Sequence, residues 1–280
     1  MVGPVLGPAH LASFIERGWC AVEGCFTREA ANEQVDRWID EQGFTGKDPL
    51  TWGPPIMHRG LKQGFAARDF SPRAYQAATE LLGHHAIDHW GWGGFIVNTR
   101  LKRDQPWTMP GAGEGWHVDG DFFMHYLDSR EQSLLTIQVF TDMRARGGCT
   151  VIAEGSYRPI ARMLKGHPEG LDPGEVCREA AKVLSFAECP PVEVEQAAGT
   201  VVFLHPLMWH ASSPNTDGPP RFMMNAVPII KEHFRFDRPE TSCVVEQATI
   251  RACGGVPFDF APTGERRAYT PDRSRYEQKA

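Results

Sequence analysis

The chain has 280 residues, 41% of them hydrophobic, and a formal net charge of −6. That is enough apolar material for a sizeable buried core, and the acidic balance gives no broad attraction to a phosphate backbone, so nucleic acid is not an expected partner. Seven cysteines with no Cys-x-x-Cys and no signal-peptide pattern fit a reducing cytoplasm, and the longest apolar runs, such as GTVVFLHPLMW, are too short and interrupted to span a bilayer.

Apolar residues at helical spacing predict helices over 9–18 and 27–41, the second opening on Thr27, with a short strand in WCAVEGC between them. Residues 43–70, rich in Gly, Pro and Trp, read as a long loop. A helix is predicted over 72–90, with Ser71 as its cap and Pro72 at its first position. From Gly94 to Ile230 the pattern changes to short β-rich runs: GGFIVNTRL, LLTIQVFTDM, CTVIAEGS, VEVE, GTVVFLHPLMWH and RFMMNAVPII, with one helical insert near 173–184. This is the patterning of an all-β barrel or sandwich. Residues 254–280 are polar and charged and read as a mobile tail or a lid. No repeat or linker divides the chain, so the expectation is a single domain over 1–280: a helical part to about 93, a β core over about 94–230 and an extension or lid over about 231–280.

The chemistry concentrates in two places. In GWHVDGDFF, His117 and Asp119 are two apart, so an extended stretch aims both side chains at one point. In PLMWHASSPN, His210 ends a strand, and Arg221 follows on the next. Two imidazoles and one carboxylate can occupy one face of an octahedral ferrous ion and leave the opposite face open for substrate, cofactor and oxygen. An Arg a short strand past the second His suggests a bound dicarboxylate, and together these features read as a non-haem iron, 2-oxoglutarate-dependent oxygenase. Strand alternation puts Met208, Leu204 and Val202 on the face of His210, and Met223 and Asn225 on that of Arg221. Asn98 shares a face with Arg100, Thr136 with Gln138, and Thr150 with Ile152. A mostly apolar lumen with a few placed polar groups suits a small-molecule site.

Taken singly, each feature has a plainer reading. An H-x-D is common in turns, a lone buried His is more often hydrogen-bonded core than ligand, and Arg221 after GPP suits a solvated strand start. The ordered combination is what chance rarely supplies. His84, His85, His89, His125 and His205 have no matching partner spacing and read as structural or exposed. A serine or cysteine hydrolase is disfavoured, because Ser156 in EGSY lacks the G-x-S-x-G elbow and no Cys has an activating context. Two alternatives stay open: a cupin-like metal-binding protein or metal enzyme that does not use 2-oxoglutarate and needs no Arg221, and a non-catalytic β-sandwich binding module.

The chain resembles the phytanoyl-CoA dioxygenase family of iron(II)/2-oxoglutarate oxygenases. The resemblance is carried by LASFIERGWCAVEGCFTREAANEQVDRWID, GWHVDGDF, GGCTVIAEGSY, and GTVVFLHPLMWHASSPN with PPRFMMN. It implies a mainly β fold with flanking helices and a double-stranded β-helix (jelly-roll, cupin-like) core, using Fe(II) and 2-oxoglutarate with O2 as co-substrate. Position by position, it implies that His117, Asp119 and His210 bind the iron and that Arg221 pairs with the remote carboxylate of 2-oxoglutarate. Thr150 lies where a hydroxyl can share that carboxylate, and Asn98 and Gln138 are candidates for the cofactor's other end or the substrate. Phe122, Phe123, Trp209 and Met223 are candidates for an apolar substrate wall, and Arg100 for an acidic substrate group. Ala153-Glu154 departs from the family's usual Pro at that turn, and Tyr157 from its His. The retained Asp119 speaks against halogenation, and the spacing from His210 to Arg221 speaks against a nucleic-acid demethylase. The implied reaction is oxidation of an unactivated C–H bond of a small molecule, by hydroxylation, desaturation or cyclisation, in secondary metabolism, with release of succinate and CO2. A cytoplasmic monomer or homodimer without membrane partners is expected.

Overall fold

The helical starts and stops follow local chemistry. In the computed structural model, which describes residues 3–271, α1 (Pro8–Arg17) opens on Pro8 and ends at Gly18, whose φ of 86° and closeness to Met208 and Tyr157 leave no room for a Cβ. The short strand β1 (Trp19–Val22) follows, then α2 (Arg28–Glu41), where Thr27 Oγ1 accepts from Ala30 N at 3.1 Å. The stretch 43–70 is not a loop. It holds β2 (Ile56–Ala66) and the single turn α3 (Ala67–Phe70). Of the β2 residues only Met57 and Leu61 are buried, so the strand lacks the two-residue alternation that would mark it. Its glycines lie against β4 (Gly91–Asn98), where a Cβ on Gly64 would meet Trp92 O at 2.4 Å.

α4 (Pro72–Leu82) starts as predicted, with Ser71 Oγ accepting from Ala74 N, but ends at Gly83, φ 59°, rather than running to 90. The expected remainder contains β3 (Ile87–His89). β4 (Gly91–Asn98) straddles the expected boundary near 93, and both β1 and β2 join its sheet, so the N-terminal part is not a separate helical region.

The other strands are β5 (Leu135–Val139), β6 (Thr150–Ala153), β7 (Pro191–Glu193), β8 (Val201–Leu204), β9 (His210–Ser212), β10 (Arg221–Asn225) and β11 (Ile229–Ile230). Six form a sheet in the order β1-β8-β5-β10-β4-β2, three a sheet in the order β7-β6-β9, and β11 pairs β3. Every one of these pairings is antiparallel. Mainly β structure with flanking helices is therefore observed. The run GTVVFLHPLMWH is not one strand: it turns at Pro206 and Leu207, and β8 and β9 belong to different sheets. Even so, Val202, Leu204 and Met208 still share one buried cluster with Ile137, Val139, Ile152 and Met223, and this cluster joins the large sheet to the three-stranded one. The opposite face of the large sheet packs Phe95, Phe140, Phe203 and Phe222 into the main core, with Trp38 of α2 edge-on to Phe222 at 5.4 Å.

α5 (Tyr157–Lys165) has no counterpart among the elements predicted from sequence, whereas α6 (Pro173–Val183) occupies the predicted insert, capped reciprocally by Asp172 and Glu175. α7 (Val244–Ala252) lies within the stretch expected to be an extension or lid, yet Val245, Ala248, Ile250 and Ala252 are core residues. Beyond it, Met124 N bonds Arg267 O and Tyr269 N bonds Phe122 O, laying the chain along the segment that follows Asp119. Residues 272–280 of the expected tail lie outside the described residues. No helix among the described residues is long and apolar enough to cross a membrane.

Candidate metal centre

His117 and Asp119 sit on an irregular segment between β4 and β5 that runs antiparallel to the start of β9. His117 N bonds His210 O at 2.9 Å and His210 N bonds His117 O at 3.1 Å, an isolated bridge. Residues facing each other across an antiparallel pair present side chains to one face, so the two rings meet at a centroid distance of 4.3 Å. Asp119, two residues on, joins them, and ligand atoms of the three lie within 4.8 Å of one another.

Ring chemistry orients the donors. A carbonyl can only accept, so His117 donates Nδ1–H to Gly115 O at 2.8 Å and His210 donates Nδ1–H to Met208 O at 3.0 Å. Both Nε2 lone pairs are then free, and they lie 3.2 and 3.6 Å from Asp119 Oδ1. Adjacent ligands on an octahedral ion with bonds near 2.1 Å are about 3 Å apart, so these donors fit a divalent metal. Burial by itself would raise the Asp119 carboxyl, but the two imidazoles that face it, His210 foremost, hold it well below the usual carboxylate range, in its anionic form. His210 is buried, whereas the His117 side chain is 44% exposed, so the centre opens on one side.

Arg221 begins β10 and is 1% exposed. Its Nε donates to Gly148 O at 2.7 Å and its Nη1 to Ile96 O at 3.1 Å, while Nη2 has no partner and no carboxylate pairs with it among the described residues. Burial lowers its pKa only to about 10, so it stays charged. A buried cation with a free N–H is a site for an anion.

The other predicted residues divide. Thr150 and Met223 line the buried space between the sheets, with Thr150 Oγ1 3.3 Å from Met223 Sδ. Asn98 lies opposite Arg221, but its amide is engaged at both ends, by Ser213 O and Leu101 N. Gln138 points to the opposite face of its sheet from Ile137 and Val139, so it leaves the candidate set. Its amide bonds Thr136 Oγ1 and Ala226 N. Trp209 packs in the main core away from His210, which corrects its expected place in a substrate wall. Arg100 ties down Gly53 O at 2.6 Å. Phe123 is buried against His125, with Phe122 beside it at 4.9 Å. Asn225, placed by alternation on the Arg221 face but given no role, donates its amide to Asp119 Oδ2.

A second histidine–carboxylate group, His84, His85 and Glu246, joins the end of α4 to α7. His125 and His205 are buried and structural: burial pushes their pKa values down to about 4 and about 3.

Residues 14–223 match the family model described as phytanoyl-CoA dioxygenase. No curated protein matches the chain by sequence. Among solved structures, the non-heme alpha ketoglutarate-dependent carbocyclase SnoK from nogalamycin biosynthesis is similar over 96% of this chain and 100% of its own, at 18% identity and a TM-score of 0.54. The epimerase SnoN, in complex with Fe3+, alpha ketoglutarate and nogalamycin RO, is similar over 95% and 96%, at 17% identity and a TM-score of 0.51. At these identities the likeness is one of fold.

Proposed function

Because the chain belongs to the phytanoyl-CoA dioxygenase family, and is thus a 2-oxoglutarate-dependent dioxygenase that uses iron, we propose that it oxidises a C–H bond of a small molecule, releasing succinate and CO2. The core is taken as a double-stranded β-helix formed by the six- and three-stranded sheets around their shared apolar cluster. His117 Nε2, His210 Nε2 and Asp119 Oδ1 hold the iron(II), and Arg221 holds the far carboxylate of 2-oxoglutarate, with Thr150 and Met223 along the wall between. Bound there, the iron and 2-oxoglutarate supply the oxidising chemistry. The protein's part is to orient the ligands, keep Arg221 dry and aim the open face at the substrate. Which of hydroxylation, desaturation and cyclisation follows depends on how the substrate is positioned. Specialised metabolism is the setting we favour, as SnoK is a carbocyclase from nogalamycin biosynthesis and SnoN is an epimerase solved in complex with nogalamycin RO.

The observation that carries this proposal is Arg221, a buried guanidinium with no acidic partner among the described residues, on the same strand face as the residue that touches Asp119. Four residues of strand, a rise of about 13 Å, separate Arg221 from Asn225. A cupin-like metal protein that does not use 2-oxoglutarate would have no use for such a cation. Anaerobic addition of iron(II) and then 2-oxoglutarate should produce the visible charge-transfer band of the chelate. A folded, iron-loaded protein that gives no band would overturn the proposal.

A further inference from the structure

Asn225 has a position that the iron-binding triad alone does not require. It closes β10, opposite Ile137 of β5, and its Nδ2 donates to Asp119 Oδ2, leaving Oδ1 as the oxygen that faces both imidazole Nε2 atoms. The amide orientation is not in question, because a carboxylate accepts and cannot donate. The backbone of the next residue, Ala226, is held by three hydrogen bonds. Ala226 N donates to Gln138 Oε1 at 3.3 Å, and Ala226 O accepts from Trp90 Nε1 at 3.1 Å and from Thr136 Oγ1. Gln138 Nε2 in turn donates to Thr136 Oγ1 at 2.6 Å, closing the network on the far face of the sheet.

We infer that Asn225 is a positioning residue that holds Asp119 to one coordinating oxygen, and that the Thr136–Gln138–Trp90 clamp on Ala226 fixes Asn225 for that purpose. An unrestrained carboxylate can turn both oxygens to a metal and occupy a further coordination position. With Oδ2 bonded to Asn225, that position stays open for cofactor or oxygen. Gln138 thus serves the centre from the opposite face of the sheet, through backbone rather than by touching the cofactor. The inference rests on the proposal that His117, Asp119 and His210 hold iron(II).

The test is anaerobic titration of iron(II), then 2-oxoglutarate, into wild type, Asn225→Leu and Gln138→Met, with thermal melting to establish folding. Asn225→Leu keeps the branched shape and the number of heavy atoms and has no donor. It should weaken iron(II) binding about 10- to 100-fold, the usual effect of losing a partner that orients a ligand, and should shift the charge-transfer band. Wild-type affinity and an unshifted band in folded Asn225→Leu would overturn the inference. If Asn225→Leu does not fold, Gln138→Met decides: weaker iron binding with a band shift supports the inference, and wild-type values overturn it. Absence of the band in wild type would overturn the iron–2-oxoglutarate proposal itself, and this inference with it. A wild-type band matched by the variants removes only the role of Asn225.

Discussion

Two places in the molecule bring a pair of histidines to a carboxylate, with ring centroids 4.3 Å apart at His117 and His210 and 4.2 Å apart at His84 and His85. Their hydrogen bonds run in opposite senses. At the first, both Nδ1–H groups are taken up by carbonyls two residues back, and both Nε2 lone pairs turn to Asp119 Oδ1. At the second, His85 Nε2 is engaged with Glu246 Oε1 at 2.9 Å, and the carboxylate also accepts Arg235 N at 2.7 Å and Cys243 N at 2.8 Å. Although burial works to raise it, the hydrogen bonds from His85 and these two amides hold the Glu246 carboxyl below its ordinary value. His85 Nδ1 is buried without a partner among the described residues, a local cost of the arrangement. The second group is a clip that fastens α7 to the turn after α4. Proximity of the right residue types does not make a metal centre; lone pairs that converge on one point do, whereas the Glu246 oxygens are already taken up by His85 and two backbone amides.

The difference is open to test by mutation. His210→Ala should abolish the charge-transfer band and succinate formation while the protein still melts cooperatively; a retained band would break the comparison at its centre. Arg221→Ala should raise the dissociation constant of 2-oxoglutarate about 100-fold, the worth of one charge-assisted hydrogen bond from its free Nη2, with iron affinity unchanged. At the clip the expectation reverses. Glu246→Ala should lower stability by about 3 kcal/mol by leaving buried donors unpaired, read as a lower urea midpoint, and should leave iron binding and the band as in wild type. Loss of iron from folded Glu246→Ala would mean that the clip is a metal site after all.

A smaller, graded effect comes from His205, which also ties α7 to the sheet region. Its Nδ1 accepts Leu207 N at 3.2 Å and its Nε2 bonds Thr249 Oγ1 at 3.1 Å, so the neutral ring is the one the fold holds. Burial pushes its pKa down to about 3. The unfolded chain, with an ordinary histidine, takes up a proton first as pH falls, so this contribution is complete above about pH 6.5 and is lost progressively toward pH 3. His205→Gln should therefore flatten the pH dependence of stability by about 1.4 kcal/mol per pH unit between pH 4 and 6. Urea denaturation across that range would show an unaltered slope if His205 titrates normally in the folded protein.

The sequence determined by itself what depends on neighbours along the chain. Thr27, Ser71 with Pro72, and Asp172 with Glu175 start their helices because a cap needs only a side-chain oxygen within a turn of a free amide. The two-residue spacing of His117 and Asp119 sets them on one face, and alternation puts Arg221, Met223 and Asn225 together. Alternation says which residues share a face, however, and not which face is inside. Only the sheet packing turned Thr150 and Met223 inward and Gln138 and Trp209 away. The tertiary structure also decided that GTVVFLHPLMWH turns at Pro206 to enter a second sheet, and that β2, with so few buried residues, pairs at a sheet edge. It placed α7 in the core and joined Asn225 to Asp119, contacts between residues distant in sequence whose meeting depends on how the sheets pack.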